Sequence, residues 1–360
     1  MAGPRIVVAM SGGVDSSVAA ALLKAQGFDV IGVSMQLSAT PAATVRAGQG
    51  CCSLEDFRDA RRVAERLAIP YYVWNLTDTF RARVTDVFAS EYVRGRTPNP
   101  CVLCNRDLKF DELRTRAGAL GAALVATGHY ARILREDDGR FRLLRARDER
   151  KDQSYFLFSL AQEELARTRF PLGDLTKEEV RRHARALGLP VAEKPESQEI
   201  CFVPDRDYAG WVERHALAGD LKPGAIKDAD GRTLAVHGGV HRFTVGQRRR
   251  LGIGDGVARW VTRIDGATGT VHVGGRDALA NRGLVAEQVR WTAGAPVTDG
   301  DVRVRIRHRH APVAARLRHT ADDRVEAWFD EPATAVTPGQ AAVFYRGEEV
   351  LGGGWIAEAL

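Results

Sequence analysis

RIVVAMSGGVDSSVAAALLKAQ, residues 5–26, decides how this chain is read. The apolar run 6–10 is long enough for one buried strand and stops at Ser11-Gly12-Gly13. Val18, Ala21 and Leu22 then recur at helical spacing, and Gly27 stands where a helix would end. Strand, glycine turn and helix aim backbone N–H groups and a positive helix end at phosphate. Adjacent glycines let the backbone approach a ligand where a Cβ would collide. Ser11, Ser16 and Ser17 add hydroxyls, and Asp15 is placed to hold magnesium. A Walker A loop is excluded, because that motif needs a lysine after its second glycine and none occurs before Lys24. The loop therefore suits pyrophosphate as binding group and leaving group. An ordinary serine-capped turn between strand and helix is the plainer reading of the same pattern.

Working outward, residues 29–35 (DVIGVSM), 71–75 and 122–127 read as further strands. Residues 54–67, 80–93 and 107–120 read as helices. Strands and helices alternating at this spacing predict an α/β domain with a parallel sheet covered on both faces. Ligands of such sheets sit beyond the carboxyl ends of the strands, where the glycine turn, Met35 and Gly128-His129 all fall. A hairpin is expected over 133–145, turning at Asp138-Gly139, and mostly helix over 156–187. Past Pro204, glycine turns separate short alternating runs, and WVTRIDGATGTVHVGG is a clear hairpin. The chain thus divides into an α/β domain over 1–204, a small β-rich domain over 205–275 and a β-barrel over 276–360.

At 360 residues two or three domains are expected. No apolar run approaches the roughly 20 residues that span a bilayer. MAGPR runs directly into the first strand, so no signal peptide is expected. Five cysteines, an odd and sparse set, point to reduced thiols in the cytoplasm. A net charge of +6 and a pI near 9.2 are compatible with a polyanionic partner. Residues 301–309 (DVRVRIRHR) alternate, placing Arg303, Arg305, Arg307 and Arg309 on one side and Val302, Val304 and Ile306 on the other. A half-buried barrel strand explains the apolar side; a phosphate backbone is the natural partner of the basic side. Arg248-Arg249-Arg250 forms a second basic cluster.

TPNPCVLCNRDLKF (97–110) carries Cys101 and Cys104 at the spacing of a metal half-site, a redox pair or a nucleophile site. The expected helix start at residue 107 would favour thiolate at Cys104. Cys201 lies in KPESQEICFVPD, where it also reads as a small buried hydrophobe. Structural zinc lacks a fourth ligand, since there is no second C-x-x-C and Cys51-Cys52 are adjacent. Cys51 and Cys52 take no assigned role.

SGGVDSS matches the signature of the PP-loop ATP pyrophosphatases, which cleave ATP to AMP and pyrophosphate. SGGVDSS, GCCSLEDFRDARRVAERL, GRTPNPCVLCN, ATGHYAR, KDQSYFLF, SQEICFVPD and VGQRRRLGIG, in this order, resemble the tRNA-specific 2-thiouridylase family over essentially the whole chain. The resemblance implies ATP binding, with magnesium, by Ala9, Met10, Ser11, Gly12, Gly13, Val14, Asp15, Ser16, Met35 and Gly128. It implies that Cys201 accepts a persulfide from a sulfur-relay protein or cysteine desulfurase, with Cys104 as second catalytic thiol. Asn99, Pro100 and Cys101 would lie against the target base. His129, Lys151, Asp152, Gln153, Arg307, His308 and Gln340 would contact tRNA, of the Lys, Glu and Gln types. The implied chemistry is adenylation of the C2 oxygen of wobble uridine 34, then displacement of AMP by sulfur.

One departure stands out: Cys101 occupies a position where many members carry an Asp with an acid/base role. Three thiols in two motifs open an alternative, a [4Fe-4S] cluster on Cys101, Cys104 and Cys201 that delivers sulfide. A PP-loop small-molecule ligase and a non-catalytic RNA-binding module are the competing classes. The first leaves the cysteines and arginines unexplained, and the second leaves the glycine turn idle.

Overall fold

The computed structural model describes residues 3–38, 53–195, 200–203, 205–216, 220–297 and 300–360. Cys51 and Cys52 lie outside the described residues.

Strands β1 (Arg5–Ala9), β2 (Asp29–Gln36), β3 (Tyr71–Asn75) and β4 (Leu124–Ala126) are parallel, and β2, β1 and β4 form the middle of the first sheet. A hairpin, β5 (Ala131–Arg135) and β6 (Phe141–Arg145), follows, and β7 (Thr168–Arg169) closes the first sheet in the order β3-β2-β1-β4-β7. The unbroken apolar character of β1 reflects cover on both faces. Ile6 and Val8 pack with Val18 and Leu23 of the helix α1 (Val14–Ala25), whereas Val7 and Ala9 pack with Leu113 and Ala117. The chain winds from β1 to β2 and β3 on one side, then returns to place β4 on the other. The switch point is at the carboxyl ends of β1 and β4, where such sheets bind ligands.

The helix expected from residue 107 begins earlier. It runs from 100 to 119, opening with Pro100–Leu103 and passing through a π-helical stretch, Cys104–Glu112. Proline at the first position loses nothing there, because its missing N–H would have had no intrahelical acceptor. The expected 80–93 helix likewise starts at 77 and contains a π turn, Arg81–Thr85. The stretch 156–187 is less helical than its sequence suggests. Helices Gln162–Arg167 and Lys177–Ala186 flank β7, the edge strand of the sheet.

After the helix Tyr208–His215, the chain builds a four-stranded sheet from β8 (Gly224–Lys227), β9 (Thr233–His237), β10 (Trp260–Asp265) and β11 (Thr270–Gly274). The final strands are β12 (Ala280–Arg290), β13 (Val302–Arg305), β14 (Val313–Ala321), β15 (Arg324–Thr334), β16 (Ala341–Arg346) and β17 (Glu349–Ala359). They run in the order β12-β15-β14-β13-β16-β17, and β12 pairs with β17, so the six close into a barrel. The β5–β6 hairpin does not stay with the first sheet. Leu144 and Leu143 of β6 pair with Glu349 and Val350 of β17, so a hairpin from the first 150 residues extends the barrel sheet.

The arginine-rich strand is shorter than its alternation predicts. β13 ends at Arg305, and Arg303 is exposed while Arg305 and Arg307 are turned into internal bonds. Four arginines on one solvent face is therefore corrected. The physical reason is burial: Arg305 meets Asp152, and Arg307 donates to Val245 O, Ala335 O and Thr337 Oγ1.

Candidate nucleotide and thiol site

The turn after β1 has Gly13 as the N-cap of α1, and no side chain caps the helix. Its first-turn N–H groups are thus left for a ligand. Ser16 Oγ accepts from Ser11 N (3.1 Å) and lies 3.3 Å from Ser11 Oγ, while Ser17 Oγ donates to Gly13 O (2.8 Å). Two glycines are required by packing. Gly12 has φ +74°, and a Cβ there would lie 2.3 Å from Asp56 O; at Gly128 a Cβ would lie 2.7 Å from Ser16 N. Gly12 is therefore small so that the turn can seat against the helix α2 (Leu54–Arg66), and Gly128 so that β4 can approach α1.

These elements enclose a cavity of about 320 Å³. Ala9, Met10, Ser11, Gly13, Val14, Asp15, Ser16, Met35 and Gly128 line it; Gly12, the remaining residue of that predicted set, is buried behind the turn. His129, Lys151 and Gln153, expected on the RNA, line the same cavity. Gln153 Oε1 accepts from Tyr130 N at 2.9 Å.

Asp15, expected to hold magnesium, lines the cavity and is held by two neighbours. Its carboxylate takes Lys177 Nζ at 2.7 and 2.8 Å and the Tyr130 hydroxyl at 2.8 Å. The lysine absent from the local motif is supplied from a distance. Lys109, Lys151 and Lys194 all reach the cavity wall. Lys194 Nζ donates to Gly12 O (3.1 Å), Asp56 (2.8 Å) and Asp59 (2.6 Å). Burial works against its charge, but the two carboxylates outweigh burial and raise its pKa.

The three cysteines differ in setting. Cys101 is exposed in the first turn of the 100–119 helix, beside buried Asn99 and Pro100. Cys104 is buried one turn further in, so the helix end lies beside Cys101 instead. Cys104 belongs to an apolar cluster with Leu37, Leu76, Phe80, Val84, Leu103 and Leu108, and half-buried Cys201 and Phe202 pack against it. Phe202 is locked edge-on to Phe80 and Phe88, with centroids 5.6 and 5.1 Å away. Met35 and Leu37 belong both to this cluster and to the cavity wall. Among the described residues no three His, Cys, Asp or Glu side chains gather as a metal-binding group. Cys101, Cys104 and Cys201 do not fit an iron–sulfur cluster as arranged, since Cys101 faces solvent while Cys104 is sealed in the apolar cluster.

Three family models cover the chain: tRNA methyl transferase HUP domain over residues 4–205, tRNA methyl transferase PRC-barrel domain over 216–275 and aminomethyltransferase beta-barrel domain over 281–356. The tRNA-specific 2-thiouridylase MnmA of Geotalea uraniireducens is 53% identical over 99% of this chain and 96% of its own length. The proteins of that name from Solibacter usitatus and Carboxydothermus hydrogenoformans are 52% and 46% identical, each over at least 98% of both chains. The chain belongs to the tRNA-specific 2-thiouridylase family.

In this thiouridylase, several residues expected on the RNA are bonded within the protein. Asp152 is fully buried: it accepts from Ala146 N, Ser154 N and Ser154 Oγ and pairs with Arg305 (3.2 Å) and Arg145 (3.5 Å). His308 Nε2 lies 3.1 Å from Asp152 O, and its ring is 4.5 Å from that of Phe156. Arg307 joins the central domain to the barrel through Val245 and Ala335, and Gln340 donates to Thr97 O. Sequence reading missed Lys177, Lys194, Asp56 and Tyr130. Lys194 stands in the quoted KPESQEICF stretch, but nothing local to it points at the glycine turn.

His129 Nδ1 lies 2.6 Å from Thr127 Oγ1, and burial, aided by Lys109, pushes its pKa well below 6.5. Burial also lowers His308. The fold therefore favours the neutral rings, and their stabilisation is complete above pH 6.5 and lost as pH falls below it. Each such histidine costs up to about 1.4 kcal/mol per pH unit until its folded-state pKa is reached. Thermal melts from pH 7.5 to 5.5 should fall, and His129→Gln should flatten that fall. An equal slope in the variant would show that His129 does not contribute.

Among the described residues no helix is long and apolar enough to cross a membrane.

Proposed function

We propose that this chain catalyses ATP-dependent 2-thiolation of a tRNA uridine, at wobble position 34, with sulfur carried as a persulfide on Cys201. The observation that carries the reading is the shared wall between the phosphate-binding cavity and the thiol cluster, made by Met35 and Leu37. The uncapped first turn of α1 receives the pyrophosphate portion of ATP, and Lys194, Lys151 and Lys109 supply positive charge along the wall. Asp15, positioned by Lys177 and Tyr130, would hold the magnesium that accompanies the nucleotide, which would offset charge on the pyrophosphate leaving group.

Attack of the uridine C2 oxygen on the α-phosphate expels pyrophosphate and leaves AMP on the base. The terminal sulfur of the Cys201 persulfide attacks C2, and AMP departs with the C–O electrons. Cys104 thiolate then cleaves the S–S bond, leaving sulfur on C2 and a Cys104–Cys201 disulfide, which an external dithiol must reduce before the next turnover. In the variant order Cys104 first releases hydrosulfide, which attacks C2. Cys101 stands where many relatives carry a carboxylate, and its exposed thiol takes the proton-shuttling position. A sulfur-relay protein or cysteine desulfurase loads Cys201.

ATP–pyrophosphate exchange is the deciding experiment. Exchange should require added tRNA of the Lys, Glu or Gln type. Exchange with tRNA absent, driven by a small carboxylic acid, would replace this reading with that of a ligase; no exchange under either condition would leave an RNA-binding module.

A further inference from the structure

The strap that delivers the Cys101–Cys104 helix is built so that it cannot hold itself. Pro98 and Pro100 have no N–H, so the carbonyls around them need donors from elsewhere in the fold. The C-terminal barrel provides them. Gln340 Nε2 donates to Thr97 O (2.9 Å) and Pro98 O (3.4 Å), and Thr97 N donates to Pro338 O (2.8 Å). Gly339, at φ +90°, has Thr97 so close that a Cβ would lie 2.9 Å from Thr97 N. Gln340 is itself fixed, because its backbone bonds Thr337 O and Ile356 N. Arg96 bonds Glu287 of β12, and Thr97 Oγ1 bonds Thr244 of the central domain. Downstream, Tyr155 donates its hydroxyl to Ala341 O (2.9 Å).

We propose that Gly339 and Gln340 form a clasp through which the C-terminal barrel sets the position of the Cys101–Cys104 helix. Gln340 is a positioning residue: it acts through Thr97 and Pro98, one turn ahead of the reacting thiol. The barrel thereby belongs to the chemistry. Displacement of reacting groups by about 1 Å can cost a hundredfold in rate.

The test uses the full chain with Gln340→Glu, which keeps the size and loses the donor, and Gly339→Ala, which pushes on Thr97. Two readouts are taken: alkylation of Cys101 by iodoacetamide without RNA, followed by mass spectrometry, and single-turnover sulfur transfer at saturating tRNA. Both variants should change the alkylation rate at least threefold and slow transfer at saturating tRNA about tenfold to a hundredfold. Unchanged alkylation with weakened tRNA binding would overturn the clasp and assign Gln340 to the RNA surface. If Gly339→Ala does not fold, Gln340→Glu alone decides on the same two readouts. The transfer readout rests on the function proposed above; the alkylation readout does not, so failure of that function would leave the clasp testable.

Discussion

Cys201→Ser should yield no 2-thiouridine while ATP cleavage in the first turnover continues. A hydroxyl cannot carry a persulfide, so sulfur loading ends. The cavity that would hold ATP is lined from β1, α1, α2 and the turn after β4, and Cys201 is not among its residues. Label from the α-phosphate of ATP should therefore accumulate on tRNA, stalled before AMP is displaced. The size of the effect is complete loss of product, against persistence of one turnover of pyrophosphate. Mass analysis of tRNA digests, paired with pyrophosphate release, measures both. Sulfur incorporation by the serine variant would sink the persulfide route. Cys104→Ser should differ in an informative way: Cys201 can still be loaded, so persulfide remains detectable on the protein although turnover fails.

The second large effect is structural. Asp152→Ala should destabilise the protein by about 3–5 kcal/mol, because Arg305 and Arg145 would lose the buried carboxylate that balances them. Arg305 also donates to His310 O and Arg145 is flanked by Glu149, so the remaining charges are not left wholly without partners. Neither neighbour replaces Asp152, since Glu149 is 3.9 Å away and largely exposed. Asp152→Asn, which keeps shape and most hydrogen bonds, should lose less. Urea unfolding of the RNA-free protein measures the difference. Stability equal to the parent, with weakened tRNA binding, would mean that the carboxylate serves the RNA and not the fold.

The glycine turn was legible because every signal it carries is local: apolar run, Ser-Gly-Gly, helical spacing, terminal Gly27. The lysines were not legible. Lys194 and Lys177 reach the turn from more than 160 residues away, and only the winding of the sheet brings them there. Alternation correctly assigned Val302, Val304 and Ile306 to the barrel interior, where each is buried. It could not show that the strand ends at Arg305, because strand length is set by pairing with β14 and β16. Pro100 is compatible with a first helical position, so the helix starts seven residues before the expected residue 107. Cys104 accordingly sits inside the helix.

The pairing of β6 with β17 cannot form until residues 349 and 350 have been synthesised. Leu143 and Leu144 meet Glu349 and Val350 across roughly 200 residues of intervening chain. At about 5–20 residues per second, that interval is roughly 10–40 s of synthesis. During it, β6 presents an unpaired edge, a template for strands of other nascent chains. Ribosomes that stall or terminate after the central domain release a polypeptide with every nucleotide-lining residue present and this edge still open. Until β17 (Glu349–Ala359) covers it, that edge is open to strand pairing with other chains.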